Sequence, residues 1–113
     1  MDNNNRRDLF PGALEMMVLR LIQREPAHGY ALVQRIRERS QDLLQVEEGS
    51  LYPALQRLLK AGLVKASWER SATGRRIRVY RLTPAGSRHL VAEVSSFEQM
   101  LLGISRVVAP GNA

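Results

Sequence analysis

The chain has 113 residues and a formal net charge of +6, enough for one small domain whose core would gain from a partner subunit. It has no cysteine, which excludes disulfides and thiolate metal sites. It also has no bilayer-length apolar run and no signal-peptide pattern, so a cytoplasmic protein without a membrane partner is expected. The positive charge is concentrated: residues 57–88 hold nine Lys and Arg against Glu69 alone, while the segments on either side are each net −1.

The chain opens on a polar stretch, Met1-Asp2-Asn3-Asn4-Asn5, and residues 1–9 are expected to form a flexible N-terminus. A first helix is predicted to open at Pro11, because proline suits the first helical position. Leu14, Met17, Val18, Leu21 and Ile22 make its buried stripe, and Pro26 ends it. A second helix follows His28-Gly29, with Leu32, Val33 and Ile36 inward and Arg35, Arg37 and Arg39 outward. Residues 40–48 read as a connection, with Leu43, Leu44 and Val46 packing beneath it.

A third helix is predicted with Ser50 as N-cap and Pro53 in its first turn. Its inner stripe is Leu51, Leu55, Leu58 and Leu59, and Gly62-Leu63 supply a left-handed end and its hydrophobic contact. Val64–Glu69 and Arg76–Leu82 alternate with period two and flank a turn with Gly74 at its tip, which is a hairpin with a basic tip and basic second strand. Trp68 is expected in the core on the inner strand face. A last helix starts with Thr83 as N-cap and Pro84 at its first position and runs to about Val108. Leu90, Val94, Phe97, Leu101 and Ile104 continue to Val108 at alternating spacings of four and three, a heptad seam for a second subunit.

Three helices, a hairpin and a long helix define a mostly α fold with a β-hairpin (α+β), a winged helix-turn-helix with a long C-terminal dimerisation helix. The expected division is a DNA-binding unit over 10–83, the dimerisation helix over 84–108 and a tail over 109–113. Such a domain places the helix after the turn in the major groove and its wing along the backbone or minor groove. The basic segment covers the end of that helix and the whole wing, so charge and fold point to double-stranded DNA. Fifteen of the 17 basic residues are Arg, whose planar fork pairs with phosphate in two places.

The motifs Leu14-Glu15-Met16-Met17-Val18-Leu19, His28-Gly29-Tyr30, Gly49-Ser50-Leu51-Tyr52-Pro53-Ala54-Leu55, Gly62-Leu63-Val64 and Tyr80-Arg81-Leu82-Thr83-Pro84-Ala85-Gly86 occur in this order. With them the chain resembles the PadR family of transcriptional regulators over residues from about 10 to 90, in the subgroup with a single C-terminal helix. The resemblance implies a homodimer, usually a repressor, on a palindromic operator, in some members released by a small molecule. It also implies backbone contacts from Ser50 and Tyr52.

Gln56, Arg57 and Lys60 lie off the leucine stripe; Gln can read adenine and Arg guanine, and phosphate contact is the alternative for each. Gly74, Arg75 and Arg76 form the wing tip, with Arg70 and Arg78 as further candidates; Arg in a narrow minor groove reads shape. Glu47-Glu48 fit the positive end of a helix dipole better than a catalytic pair. Tyr30 can pack or touch a phosphate. His28 and His89 have no third ligand in metal spacing, and no nucleophile–base motif or phosphate loop is present, so no cofactor and no enzymatic activity are expected. Met100, Leu101 and Leu102 leave room for a small hydrophobic effector between subunits. The competing reading is a protein-interaction winged helix that binds a partner through its last helix and does not touch DNA.

Overall fold

The computed structural model describes residues 9–111, so the polar opening segment and the last two residues lie outside the described residues. The order is α1 (Ala13–Arg24), α2 (Gly29–Arg39), α3 (Glu48–Lys60), β1 (Val64–Arg70), β2 (Arg76–Leu82) and α4 (Pro84–Val108). This is a winged helix-turn-helix of the α+β class, with a two-stranded antiparallel hairpin and a long C-terminal helix.

α1 runs through the centre. Its Leu14, Val18, Leu19, Leu21 and Ile22 are buried against Leu32 and Ile36 of α2, Leu51, Leu55 and Leu58 of α3, and Leu90 of α4. Pro11 does not open α1. Gly12 precedes the helix with φ +83°, a left-handed conformation that breaks helical geometry, so the first helical residue is Ala13. Glu25, before Pro26, is extended at φ −159°, as steric conflict with a following proline ring demands.

The connection from Ser40 to Glu47 packs less than its composition implies. Val46 is buried and Leu44 half-buried, but Leu43 points outward at 60% exposure. Gln41 and Asp42 both take positive φ, at 54° and 65°, and the Asp42 N–H bonds back to Arg37 O at 2.9 Å. This return tucks the chain under α2, and the Leu43 side chain falls on the solvent side of it.

α3 begins three residues before the position predicted with Ser50 as N-cap. Glu47 is its N-cap, Glu48 lies in its first turn beside the positive helix end, and Ser50 is itself helical. Pro53 therefore sits inside the helix, where it lacks the N–H that would bond to the exposed Gly49 carbonyl. The far end is a full Schellman motif. Gly62 N–H bonds Leu59 O and Leu63 N–H bonds Leu58 O, each at 3.0 Å, with Gly62 at φ +75°.

The hairpin register runs from Val64↔Leu82 to Arg70↔Arg76. Ala27 adds a bridge on the open side of β2, with Tyr80 N–H bonded to Ala27 O at 2.9 Å. Val64, Ala66, Tyr80 and Leu82 face the core. Trp68 and Arg78, the next pair on that side, extend past the core's edge. Trp68 is consequently 56% exposed, not buried; the strand alternation gives the side of the sheet but not where the core stops.

α4 is anchored at its start. Thr83 Oγ1 donates to Gly62 O at 2.8 Å and accepts from Gly86 N–H at 3.0 Å, while Thr83 N–H bonds Leu63 O at 3.1 Å. Gly86 lies so close to this turn that an added Cβ would stand 2.0 Å from the Leu63 carbonyl oxygen. Leu90 is 1% exposed and belongs to the core of its own chain, which removes it from the expected intersubunit seam. Val94 is half-buried against the same core, and Phe97 packs on Phe10 with ring centroids 6.2 Å apart. Every residue from Glu98 to Gly111 is exposed. The 25 residues of α4 span about 37 Å. The radius of gyration of 16.1 Å exceeds the roughly 13 Å of a compact domain this size because the helix overhangs.

Gly86→Ala forces Cβ into a backbone oxygen that cannot rotate away. It is expected to cost about 2–3 kcal/mol and to lower the thermal midpoint by roughly 10 °C or more. A calorimetric or circular-dichroism melt checks this.

Candidate nucleic-acid interface

The exposed face of α3 has two edges. Tyr52, Gln56 and Lys60 are spaced four apart and share one row. Ser50 and Arg57, seven apart, lie on the opposite edge beside α1. There Arg57 Nε donates to Glu15 Oε2 at 2.7 Å, so its charge is matched by an acid of its own chain. The structure thus brings Tyr52, Gln56 and Lys60 into one row and sets Ser50 and Arg57 apart from it.

Tyr52 leads toward the wing. It is 43% exposed and lies across the start of α2, so close that a Cβ on Gly29 would fall 2.7 Å from its ring and hydroxyl. Only glycine leaves room for the ring there. Burial, with smaller effects from Glu48 and Tyr80, raises the Tyr52 phenol above its ordinary pKa. The hydroxyl stays protonated at neutral pH and can donate to a phosphate oxygen.

From Tyr80 the row passes onto the hairpin. Arg78 lies over the Tyr80 ring at 6.0 Å and over Trp68 at 5.9 Å, and Arg76 covers Trp68 at 4.6 Å. At the tip, Gly74 has φ +84° and open space around it, and Arg70 donates to its carbonyl at 2.9 Å. Arg75 stands exposed with its backbone N–H bonded to Ser71 Oγ at 3.1 Å.

The other side of the hairpin is different. Glu69 accepts from Arg81 and from Ser67, and these bonds hold its carboxyl below the ordinary Glu pKa. Arg81 is thereby neutralised. Among the described residues, Lys60, Lys65, Arg70, Arg75, Arg76, Arg78 and Arg88 enter no ion pair. Of the nine bases in 57–88, only Arg57 and Arg81 are compensated among the described residues.

Gly29 and Tyr80, both buried beneath this face, did not stand out in the sequence as its supports. Tyr80 was within reach: strand alternation puts it on the same side as Arg78, two residues away. Gly29 carried no such signal, because its role depends on a ring delivered from another helix. Among the described residues no group of three His, Cys, Asp or Glu could hold a metal, and no helix is long and apolar enough to cross a membrane.

A three-helix unit, a basic hairpin and a trailing long helix define a winged helix-turn-helix regulator. The sequence matches the model of the transcriptional regulator PadR-like family over residues 18–92. It is 35% identical over 94 residues to the transcriptional regulator Rv3488 of Mycobacterium tuberculosis, covering 83% of this chain and 84% of that one. A PadR family transcriptional regulator from Eggerthella lenta superposes with a TM-score of 0.76 at 30% identity, covering 89% of this chain and 86% of the other. A transcriptional regulator from Clostridium thermocellum gives a TM-score of 0.80 at 26% identity, covering 87% of this chain and 92% of the other. The chain belongs to the PadR-like family of transcriptional regulators.

Gly29→Ala is expected to displace the Tyr52 ring rather than unfold α2, since the ring can swing outward. The Tyr52 phenol then returns toward its ordinary pKa. Ultraviolet titration of the tyrosines, with Tyr52→Phe to identify the signal, reads this as an earlier ionisation of one group.

Proposed function

We propose that this regulator binds double-stranded DNA as a homodimer, with residues 10–83 as the DNA-binding unit, 84–108 as the dimerisation helix and 109–113 as a tail. The observation that carries the reading is the run of uncompensated cations that continues the exposed row of α3 onto the wing. Buried between acids, those guanidinium groups would be structural; standing free on one side, they supply a field for a polyanion. α3 enters the major groove, with Gln56 and Lys60 toward base edges and phosphates and Tyr52 donating to the backbone. Arg70, Gly74, Arg75, Arg76 and Arg78 follow the backbone or the adjacent minor groove. Ser50 contributes at the first turn, where unpaired N–H groups favour phosphate, and Arg57 engages DNA by exchanging Glu15 for a phosphate.

The second copy covers the free half of α4. Met100, Leu101, Leu102, Ile104, Val107 and Val108 are all exposed on one helix, an apolar surface of the kind that marks a protein interface. Leu101 and Ile104 form the seam, Phe97 and Val94 flank it, and Leu90 stays with its own core. A two-fold dimer fits a palindromic operator and action as a repressor in the cytoplasm. A cleft of about 220 Å³ between Phe10, Met16, Phe97 and Met100 borders the seam and suits a small hydrophobic effector that releases DNA.

Binding to random duplex DNA should fall steeply with salt on a log–log plot, and Arg75→Ala and Arg76→Ala should each flatten that slope by about one unit. A flat response of the wild type would instead favour a winged helix devoted to protein partners. Leu101→Glu buries a charge in the seam and is expected to give monomers in light scattering; a persisting dimer would place the interface elsewhere.

A further inference from the structure

We propose that Trp68 is a positioning residue for the wing: its indole carries the Arg76 and Arg78 guanidinium groups on one side of the hairpin and presents them together to DNA. The inference rests on the DNA-binding reading above and concerns how the wing does it. Trp68 is the only tryptophan of the chain, and more than half of it is exposed beyond the core's edge. An exposed indole on a polar wing has no packing reason to be there. It does have two cations on it: Arg76 at 4.6 Å and Arg78 at 5.9 Å from the ring centroid.

The register explains why both arginines reach it. Trp68 pairs directly with Arg78, and Arg76, two residues away on β2, stands diagonally on the same side. Neighbouring like charges repel, and free arginine side chains are conformationally broad. A ring face beneath them attracts both and restricts both. Arg70 shares this side through its pairing with Arg76. The opposite side holds the closed Glu69–Arg81–Ser67 network. The wing is therefore two-sided: one side cationic and pre-arranged on an aromatic ring, the other holding the Glu69–Arg81 pair with Lys65 unpaired beside it. The cationic side continues through Tyr80 toward Tyr52, the same row that α3 exposes.

The test uses the full-length chain and a duplex of random sequence titrated at several salt concentrations. Trp68→Ala removes no charge, so its salt slope should match the wild type while affinity falls by about 3- to 10-fold at every salt concentration. Trp68→Phe and Trp68→Tyr, which restore a ring face, should recover most of that loss, and Trp68→Leu, which restores bulk without a ring face, should not. The thermal midpoint of Trp68→Ala should stay near that of the wild type, because the ring lies outside the core. In the wild type, adding DNA should change the emission of the single indole, and Arg76→Gln should reduce that change. Trp68→Ala binding as tightly as the wild type, or more tightly, overturns the positioning role while the steep wild-type salt slope leaves the DNA reading standing. A wild type with no salt-dependent binding overturns both.

Discussion

Four chain segments meet at the Gly62–Leu63 turn, and their relative placement depends on it. The Schellman end of α3 presents the Gly62 and Leu63 carbonyls outward, and Thr83 takes up both, one through its hydroxyl and one through its N–H. The same hydroxyl caps α4 at Gly86, whose missing side chain lets the helix start sit directly on the Leu63 carbonyl. Val64 and Leu82, the first register pair of the hairpin, emerge from this point. The end of α3, the root of the wing and the start of α4 are thus tied within one cluster of hydrogen bonds centred on Thr83. The directions of these three elements are thereby fixed by short hydrogen bonds to backbone groups, which hold direction better than side-chain packing does.

Around this joint the charges are sorted. Acidic side chains neutralise arginines in several places: Glu25 holds Arg35, Asp42 holds Arg37, Glu15 holds Arg57 and Glu69 holds Arg81. These pairs are largely exposed and contribute little to stability. Their effect is to decide which cations remain free. Among the described residues, the cations of 57–88 left outside ion pairs lie on the outer row of α3, on the wing and around it, while Arg20, Arg24, Arg39 and Arg106 lie outside ion pairs on the other helices. The surface field is therefore shaped as much by where the acids stand as by where the arginines do.

The hydrophobic side follows from size. A domain of this length fills one small core, and that core is complete once α1 has met α2, α3, the hairpin and the first turns of α4. Nothing among the described residues covers the second half of α4, whose apolar residues face outward. An amphipathic pattern of this length in so short a chain outruns the core available to it.

Much was legible in order. Period-two and helical spacing placed the hairpin, Gly62 and Thr83–Pro84 marked element boundaries, and the local excess of arginine marked the basic segment before any fold was known. These are local properties: a cap, a turn or a charge count depends on residues near in sequence. Where the pattern misled, the missing fact was a local backbone turn, as at Gly12, Gln41 and Asp42, or a distance between segments. Trp68 is on the inner side of its strand yet beyond the core; Leu90 fits a heptad yet is claimed by its own domain; Leu43 is apolar yet turned outward by the left-handed pair at Gln41 and Asp42; Arg57 is basic yet faces Glu15, remote in sequence. Local spacing determined which elements form and which side each residue takes. Only tertiary packing decided where the core ends and which cations are free, because burial and pairing depend on segments that the chain brings together from far apart.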